Sequence, residues 1–177
     1  MDGYLLDTNH LVPLLRDGHQ YRAEVLKQLA TSAADAPVYV AAATLAELEV
    51  GCCFPHKNKD RSDAQSEIRE VIRANRLSII DFTKHTAAEY GALKAGLMQK
   101  YNRDGLKKKR AKWPEAWIDP DTGRTLDVDE FDLLAISHAI ERRLVLVTSD
   151  SMRRILDGIE IPADCPGFVN WIPTDQE

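Results

Sequence analysis

The stretch Tyr4-Leu5-Leu6-Asp7-Thr8-Asn9 is a short apolar run stopped by Asp, Thr and Asn, residues that end strands and open turns or helices. The same order returns at Leu144-Val145-Leu146-Val147-Thr148, which runs into Ser149-Asp150. Between them, Val38-Tyr39-Val40-Ala41 and Leu77 to Phe82 read as strands, and Phe168 to Trp171 as a last one. Helices are predicted from Asn9 through Leu15, with Pro13 near the first turn, and over 20–32, where Tyr21, Val25, Leu26 and Leu29 fall at helical spacing. Others open at Thr44 and end near Gly51, cover 63–75, run from the capping-box spacing Thr86-x-x-Glu89 to about Tyr101, and cover 131–142 and 151–156. Strands that are almost wholly apolar and alternate with helices imply an α/β chain with a parallel sheet covered on both faces.

The 177 residues suit one ordinary domain, and 44% hydrophobic content excludes disorder. Apolar runs such as Val38 to Ala43 fall far short of the ~20 residues of a membrane span. Residues 1–7 read as a first strand, not as a signal peptide. Three cysteines, two of them adjacent, make neither a disulfide framework nor a zinc pattern, and point to a reducing, cytoplasmic setting. The five histidines show no metal-ligand spacing and receive no role. A net charge of −5 excludes a generic nucleic-acid coat protein. It leaves open an acidic enzyme whose bound metals supply the positive charge at a scissile phosphate.

Ligands of open parallel sheets bind at the carboxyl ends of the strands. Asp7 ends the first strand, Glu47 lies in the first turn of the helix after the second, Asp132 opens the helix before LVLVT, and Asp150 follows that strand. Clustered carboxylates repel one another unless a cation neutralises them, and an all-oxygen set suits Mg²⁺ or Mn²⁺. Each acid also has a structural reading. Asp7 and Asp150 suit N-caps, Thr44-x-x-Glu47 has capping-box spacing, and Asp132 with Asp129 and Glu130 suits a helix N-terminus. Four separate caps do not explain why the acids mark one rim.

Four segments, in order, resemble the motifs of PIN domains: Tyr4 to Asn9; Ala46-Glu47-Leu48 with Gly51; Phe131-Asp132-Leu133-Leu134-Ala135-Ile136-Ser137-His138-Ala139; and Leu144 to Asp150. More closely they resemble the VapC toxins of VapBC toxin–antitoxin pairs, over residues 3 to about 156. The resemblance implies a three-layer α/β/α fold with a mostly parallel sheet of about five strands, as a single domain over 1–177. It implies a Mg²⁺- or Mn²⁺-dependent endoribonuclease using metal-activated water, a VapB-type antitoxin and a homodimer. Carried over by position, Asp7, Asp132 and Asp150 would be metal ligands, Glu47 would complete the catalytic acids, and Asn9 and Thr148 would be supporting polar residues.

The chain departs from that family in a long insertion at about 102–130. Lys100 to Lys112 holds seven Lys/Arg against Asp104, and Glu115 to Glu130 holds six acids against Arg124. Lys107, Lys108, Lys109, Arg110 and Lys112, beside Trp113 and Trp117, are candidate RNA contacts. A solvated charge run whose tryptophans plug an apolar groove is the structural reading, and the acidic half could meet a basic antitoxin tail. Asp119 to Glu130 mimics a calcium loop, but Arg124 stands where that loop needs Gly, and Asp119-Pro120-Asp121-Thr122-Gly123 is the better turn signal. A haloacid-dehalogenase-like phosphatase would need Asp at position 9, where the chain has Asn9. A PIN-like structure-specific DNA nuclease and a non-catalytic binding domain are the remaining alternatives.

Overall fold

Five parallel strands in the order β3-β2-β1-β4-β5 form the centre of the computed structural model, which describes residues 2–54, 60–102, 113–157 and 167–173. β1 is Tyr4–Leu6, β2 Val38–Ala41, β3 Ser78–Ile80, β4 Val145–Val147 and β5 Phe168–Val169. The helices are α1 (Thr8–Leu15), α2 (Arg22–Asp35), α3 (Ala42–Cys53), α4 (Arg61–Ala74), α5 (Lys84–Tyr101), α6 (Glu130–Arg142) and α7 (Arg153–Leu156). All five expected strands are present, β1 and β2 as predicted and the other three shorter by two or three residues.

Alternation along the strands sends side chains to two separate cores, which makes the three-layer α/β/α arrangement. On one face Leu6, Val38, Val40 and Val147 pack with Leu11 and Leu14 of α1 and Val25 and Leu29 of α2. On the other, Leu5, Ile80 and Leu146 pack with Leu93 and Leu97 of α5 and Leu133, Ile136 and Ile140 of α6. Leu5, Leu6, Val40 and Leu146 are completely buried, as expected of the central strands of a sheet covered on both sides. No helix among the described residues is long and apolar enough to cross a membrane.

Several local expectations are corrected. Pro13 lies in the second turn of α1, not the first, and removes the donor that would pair with the Asn9 carbonyl. α5 begins at Lys84, because Thr83 caps the His85 and Thr86 amides while the Thr86 hydroxyl accepts the Thr83 N–H. The capping box therefore lies one turn ahead of Thr86-x-x-Glu89. In the insertion, Trp117, Leu126 and Val128 are buried in the α5–α6 core, while Trp113 is 70% exposed. Only one tryptophan plugs a groove, since a 3₁₀ turn over Pro114–Ala116 separates their directions. The Asp119–Gly123 segment is a turn: the Gly123 N–H reaches the Asp119 carbonyl at 2.8 Å, and Ile118 and Thr125 pair across it.

Among the described glycines, Gly3 has the tightest environment, with φ +145° and its carbonyl accepting the Val145 N–H. An added Cβ would meet the Pro37 carbonyl oxygen at 2.5 Å, so Gly3→Ala pushes β1 away from β2. The expected cost is about 2–3 kcal/mol, a fall in melting temperature of about 5–10 °C, read by thermal or urea denaturation. An unchanged midpoint would show that this entry to β1 yields freely.

Candidate active site

β1 and β4 lie side by side, but the chain leaves β1 toward β2 on one side and returns through α6 to β4 on the other. Such a reversal opens a crevice at the carboxyl ends of the two strands. Asp7 is the first residue beyond β1, Thr148 the first beyond β4, and Asp150 lies two further on. Asp132, the third residue of α6, reaches the same crevice from the helix N-terminus. One carboxylate oxygen from each of Asp7, Asp132 and Asp150 lies within 4.8 Å of the others.

Three of the structural readings bear on this cluster without dissolving it. Asp7 does cap α1, with Oδ1 accepting the Thr8 N–H at 2.8 Å. Its Oδ2 accepts from the Thr148 hydroxyl at 2.8 Å and from Asn9 Nδ2 at 3.1 Å. Asp132 does sit in a capping box: Asp129 accepts the Asp132 N–H at 3.0 Å, and Asp132 Oδ2 accepts the Asp129 N–H at 2.7 Å. That leaves Asp132 Oδ1 without a capping duty. α7 begins three residues past Asp150, whose own N–H donates to the Thr148 hydroxyl oxygen at 3.1 Å. The box suggested by Thr44-x-x-Glu47 is absent. α3 starts at Ala42 with Ala41 as its N-cap and no side-chain cap, which puts Glu47 in the second turn.

Glu47 stands outside the three-carboxylate cluster. Its Oε2 accepts from the Thr8 hydroxyl, a partner not singled out in the sequence. Asn9 Nδ2 also donates to Asp150 Oδ2 at 2.9 Å, so Asn9 and Thr148 both bridge the ends of β1 and β4.

The electrostatics are those of acids crowded away from water. Burial, with Asp150 and Glu47 nearby, pushes Asp7 up to about 6 despite the Thr148 and Thr8 donors. Burial raises Asp132 to about 7, with the charges of Asp129, Asp7 and Asp150 adding to it against the Asp129 N–H. Burial likewise raises Glu47, opposed by the Thr8 hydroxyl and reinforced by Asp129 and Asp150. A site that resists its own charge and offers only oxygen fits a hard divalent cation such as Mg²⁺ or Mn²⁺.

The insertion forms one wall. Glu115, Thr125, Asp127, Val128, Asp129 and Asp132 line a 270 Å³ cavity beside the cluster. Glu130 is turned away from it, bonded to Tyr90 and paired with Lys94. Lys107, Lys108, Lys109, Arg110 and Lys112 lie outside the described residues.

The family model of the PIN domain matches residues 4–157. Among solved structures, the chain is similar to VapBC2 from Rickettsia felis bound to a DNA fragment from their promoter, at 25% identity and TM-score 0.62, covering 95% of this chain and 98% of that one. DNA-bound VapBC from Salmonella typhimurium shares the fold at 19% identity and TM-score 0.57, covering 97% and 99%. FitAcB from Neisseria gonorrhoeae does so at 18% identity and TM-score 0.58, covering 95% and 97%. No curated protein sequence matches.

Proposed function

The chain belongs to the PIN domain family, and from that premise we propose that it is a Mg²⁺- or Mn²⁺-dependent endoribonuclease, the toxin of a VapBC pair. The observation that carries this reading is the convergence of Asp7, Asp132 and Asp150 at the β1–β4 crevice. Three acids serving only as caps would have no reason to meet, and the raised pKa values of Asp7 and Asp132 make an empty cluster unfavourable near neutrality. A divalent cation bound there would supply the charge that acidifies a water and neutralises the scissile phosphate.

The chain's own residues supply the rest. Asp7, Asp132 and Asp150 would hold the cation. Asn9 and Thr148 fix the directions of Asp7 and Asp150 through the bonds described above. Glu47, with Oε2 engaged by Thr8, keeps Oε1 to orient the attacking water or take its proton, a role its raised pKa favours. Hydrolysis by water leaves a 5′-phosphate and a 3′-hydroxyl, because the 2′-hydroxyl takes no part. The basic run Lys107–Arg110 with Lys112 is assigned to the RNA backbone.

The partner assignment rests on two of the similar structures, which are VapBC complexes. We assign this chain a VapB-type antitoxin, and a homodimer as its working form. The reading is tested by incubating the purified, antitoxin-free protein with total cellular RNA, and separately with single-stranded and branched DNA, in Mn²⁺ or in chelator. New RNA ends at a few sites, lost in chelator, are expected. Cutting confined to DNA, or no cutting by folded protein, would overturn it.

A further inference from the structure

His10, the third residue of α1, is completely buried and follows directly on Asn9. Its Nε2 lies 3.1 Å from the backbone nitrogen of Trp171, just beyond β5 and 161 positions away in sequence. A backbone N–H can only donate, so Nε2 is the accepting nitrogen, and a neutral imidazole then carries its hydrogen on Nδ1. Nδ1 is 2.5 Å from Asn9 Oδ1. The imidazole thus donates to the Asn9 oxygen and obliges the amide nitrogen to face the other way. There, Nδ2 meets Asp150 Oδ2 at 2.9 Å, Asp7 Oδ2 at 3.1 Å and the Thr148 hydroxyl oxygen at 3.1 Å. The Ser149 N–H, also an obligate donor, reaches the same Asn9 oxygen at 3.3 Å and demands the same orientation. A flipped Asn9 would set its oxygen against two carboxylates and its NH₂ against two donors.

We propose that His10 is a positioning residue: its Nδ1–H, set by the Trp171 backbone N–H, holds the Asn9 amide with its donors on Asp7 and Asp150. This rests on the reading of those acids as a cation-binding nuclease site. Asp150 is exposed on the loop after β4, and Asn9 is the side chain that ties its carboxylate to Asp7. His10 also packs edge-on against the Trp171 ring, with centroids 6.3 Å apart and planes at 84°. Burial pushes the imidazole down to about 4 against an opposing pull from the Asn170 side chain, which keeps it neutral at neutral pH. The relay makes the segment after β5 part of the support of the site. A histidine that merely filled the core would carry no such directional demand.

Two isosteres separate these roles. His10→Asn puts an amide nitrogen in place of Nδ1, keeping a donor to Asn9 but not reaching Trp171. His10→Gln puts a carbonyl oxygen in place of Nε2, keeping the Trp171 bond but offering Asn9 no donor. The test measures Mn²⁺ affinity by titration calorimetry, kcat and KM on a cleaved RNA, and the wild-type imidazole tautomer by ¹⁵N NMR.

We expect the Nδ1–H tautomer, a loss of about 10–100-fold in Mn²⁺ affinity and kcat for His10→Gln with KM little changed, and values within about threefold of wild type for His10→Asn. Equal affinity and kcat in the two variants, or an Nε2–H tautomer, would overturn the proposal. If the His10 variants match wild type while Asp132→Asn is inactive, the relay fails alone. If wild type neither binds Mn²⁺ nor cuts RNA but shows the Nδ1–H tautomer, the nuclease reading fails and the His10–Asn9 relay stands.

Discussion

Asp132→Asn is expected to lower kcat for RNA cleavage by about a thousandfold or more while leaving the protein folded. A bound divalent ion contributes several kcal/mol of charge stabilisation, and each 1.36 kcal/mol is tenfold in rate. An amide in place of this carboxylate removes a charged ligand from the cluster. The fold should survive because what Asp132 does for it is served equally well by Asn. Its Oδ2 accepts the Asp129 N–H, which an amide oxygen also accepts, and its backbone N–H remains capped by Asp129. Cleavage is measured on the mapped RNA target, and folding by circular dichroism. An unfolded variant, or one that cuts at the wild-type rate, would place Asp132 among the helix caps and outside the chemistry.

The same substitution is expected to raise stability when no divalent ion is present, and to do so in a pH-dependent way. Burial and neighbouring acids raise Asp132 from 3.8 to about 7 in the folded protein. An acid whose folded pKa lies above its unfolded value contributes stability that is full below about 4, where both states are protonated, and lost as the pH rises toward 7. Asn pays no such penalty. In chelator, the melting temperatures of Asp132→Asn and wild type should coincide near pH 4 and diverge up to pH 8, with the variant about 5 °C higher. The scale follows from about 1.4 kcal/mol per pKa unit, reduced for the partial exposure of Asp132, and about 2–4 °C per kcal/mol at this chain length. Mn²⁺ should reverse the order by stabilising wild type. A variant that melts below wild type at pH 8 in chelator would contradict the picture of a strained, cation-seeking cluster.

Much of this was legible in one dimension because it depends on local pattern. The central strands announce themselves as apolar runs, since a doubly covered parallel sheet has no polar side. Asp7, Asp132 and Asp150 mark themselves by standing at strand and helix ends. What stayed hidden depends on partners far apart in sequence. Thr83 rather than Thr86 caps α5 because two threonines three apart can reciprocate as a Ser/Thr–Glu pair does, and only the fold shows which pair does so. The Thr8–Glu47 bond spans 39 positions and draws Glu47 to the edge of the site rather than into the cluster. His10 carried no metal-ligand spacing because its partners are an amide and a backbone N–H. In the insertion, Trp117, Leu126 and Val128 lack the periodicity of a helix or strand, so their burial could not be read through the surrounding acids.

The chemistry of the cut ends tests the central claim most directly. RNA cleaved by the purified protein with Mn²⁺ would be assayed for its termini by ligation to a 3′-hydroxyl adapter and by sensitivity to a 5′-phosphate-dependent exonuclease. The expected result is a 5′-phosphate and a 3′-hydroxyl at the new ends, absent in chelator and with Asp132→Asn. Termini bearing a 5′-hydroxyl and a 2′,3′-cyclic phosphate, formed equally well in chelator, would show attack by the 2′-hydroxyl and contradict a metal-dependent hydrolase.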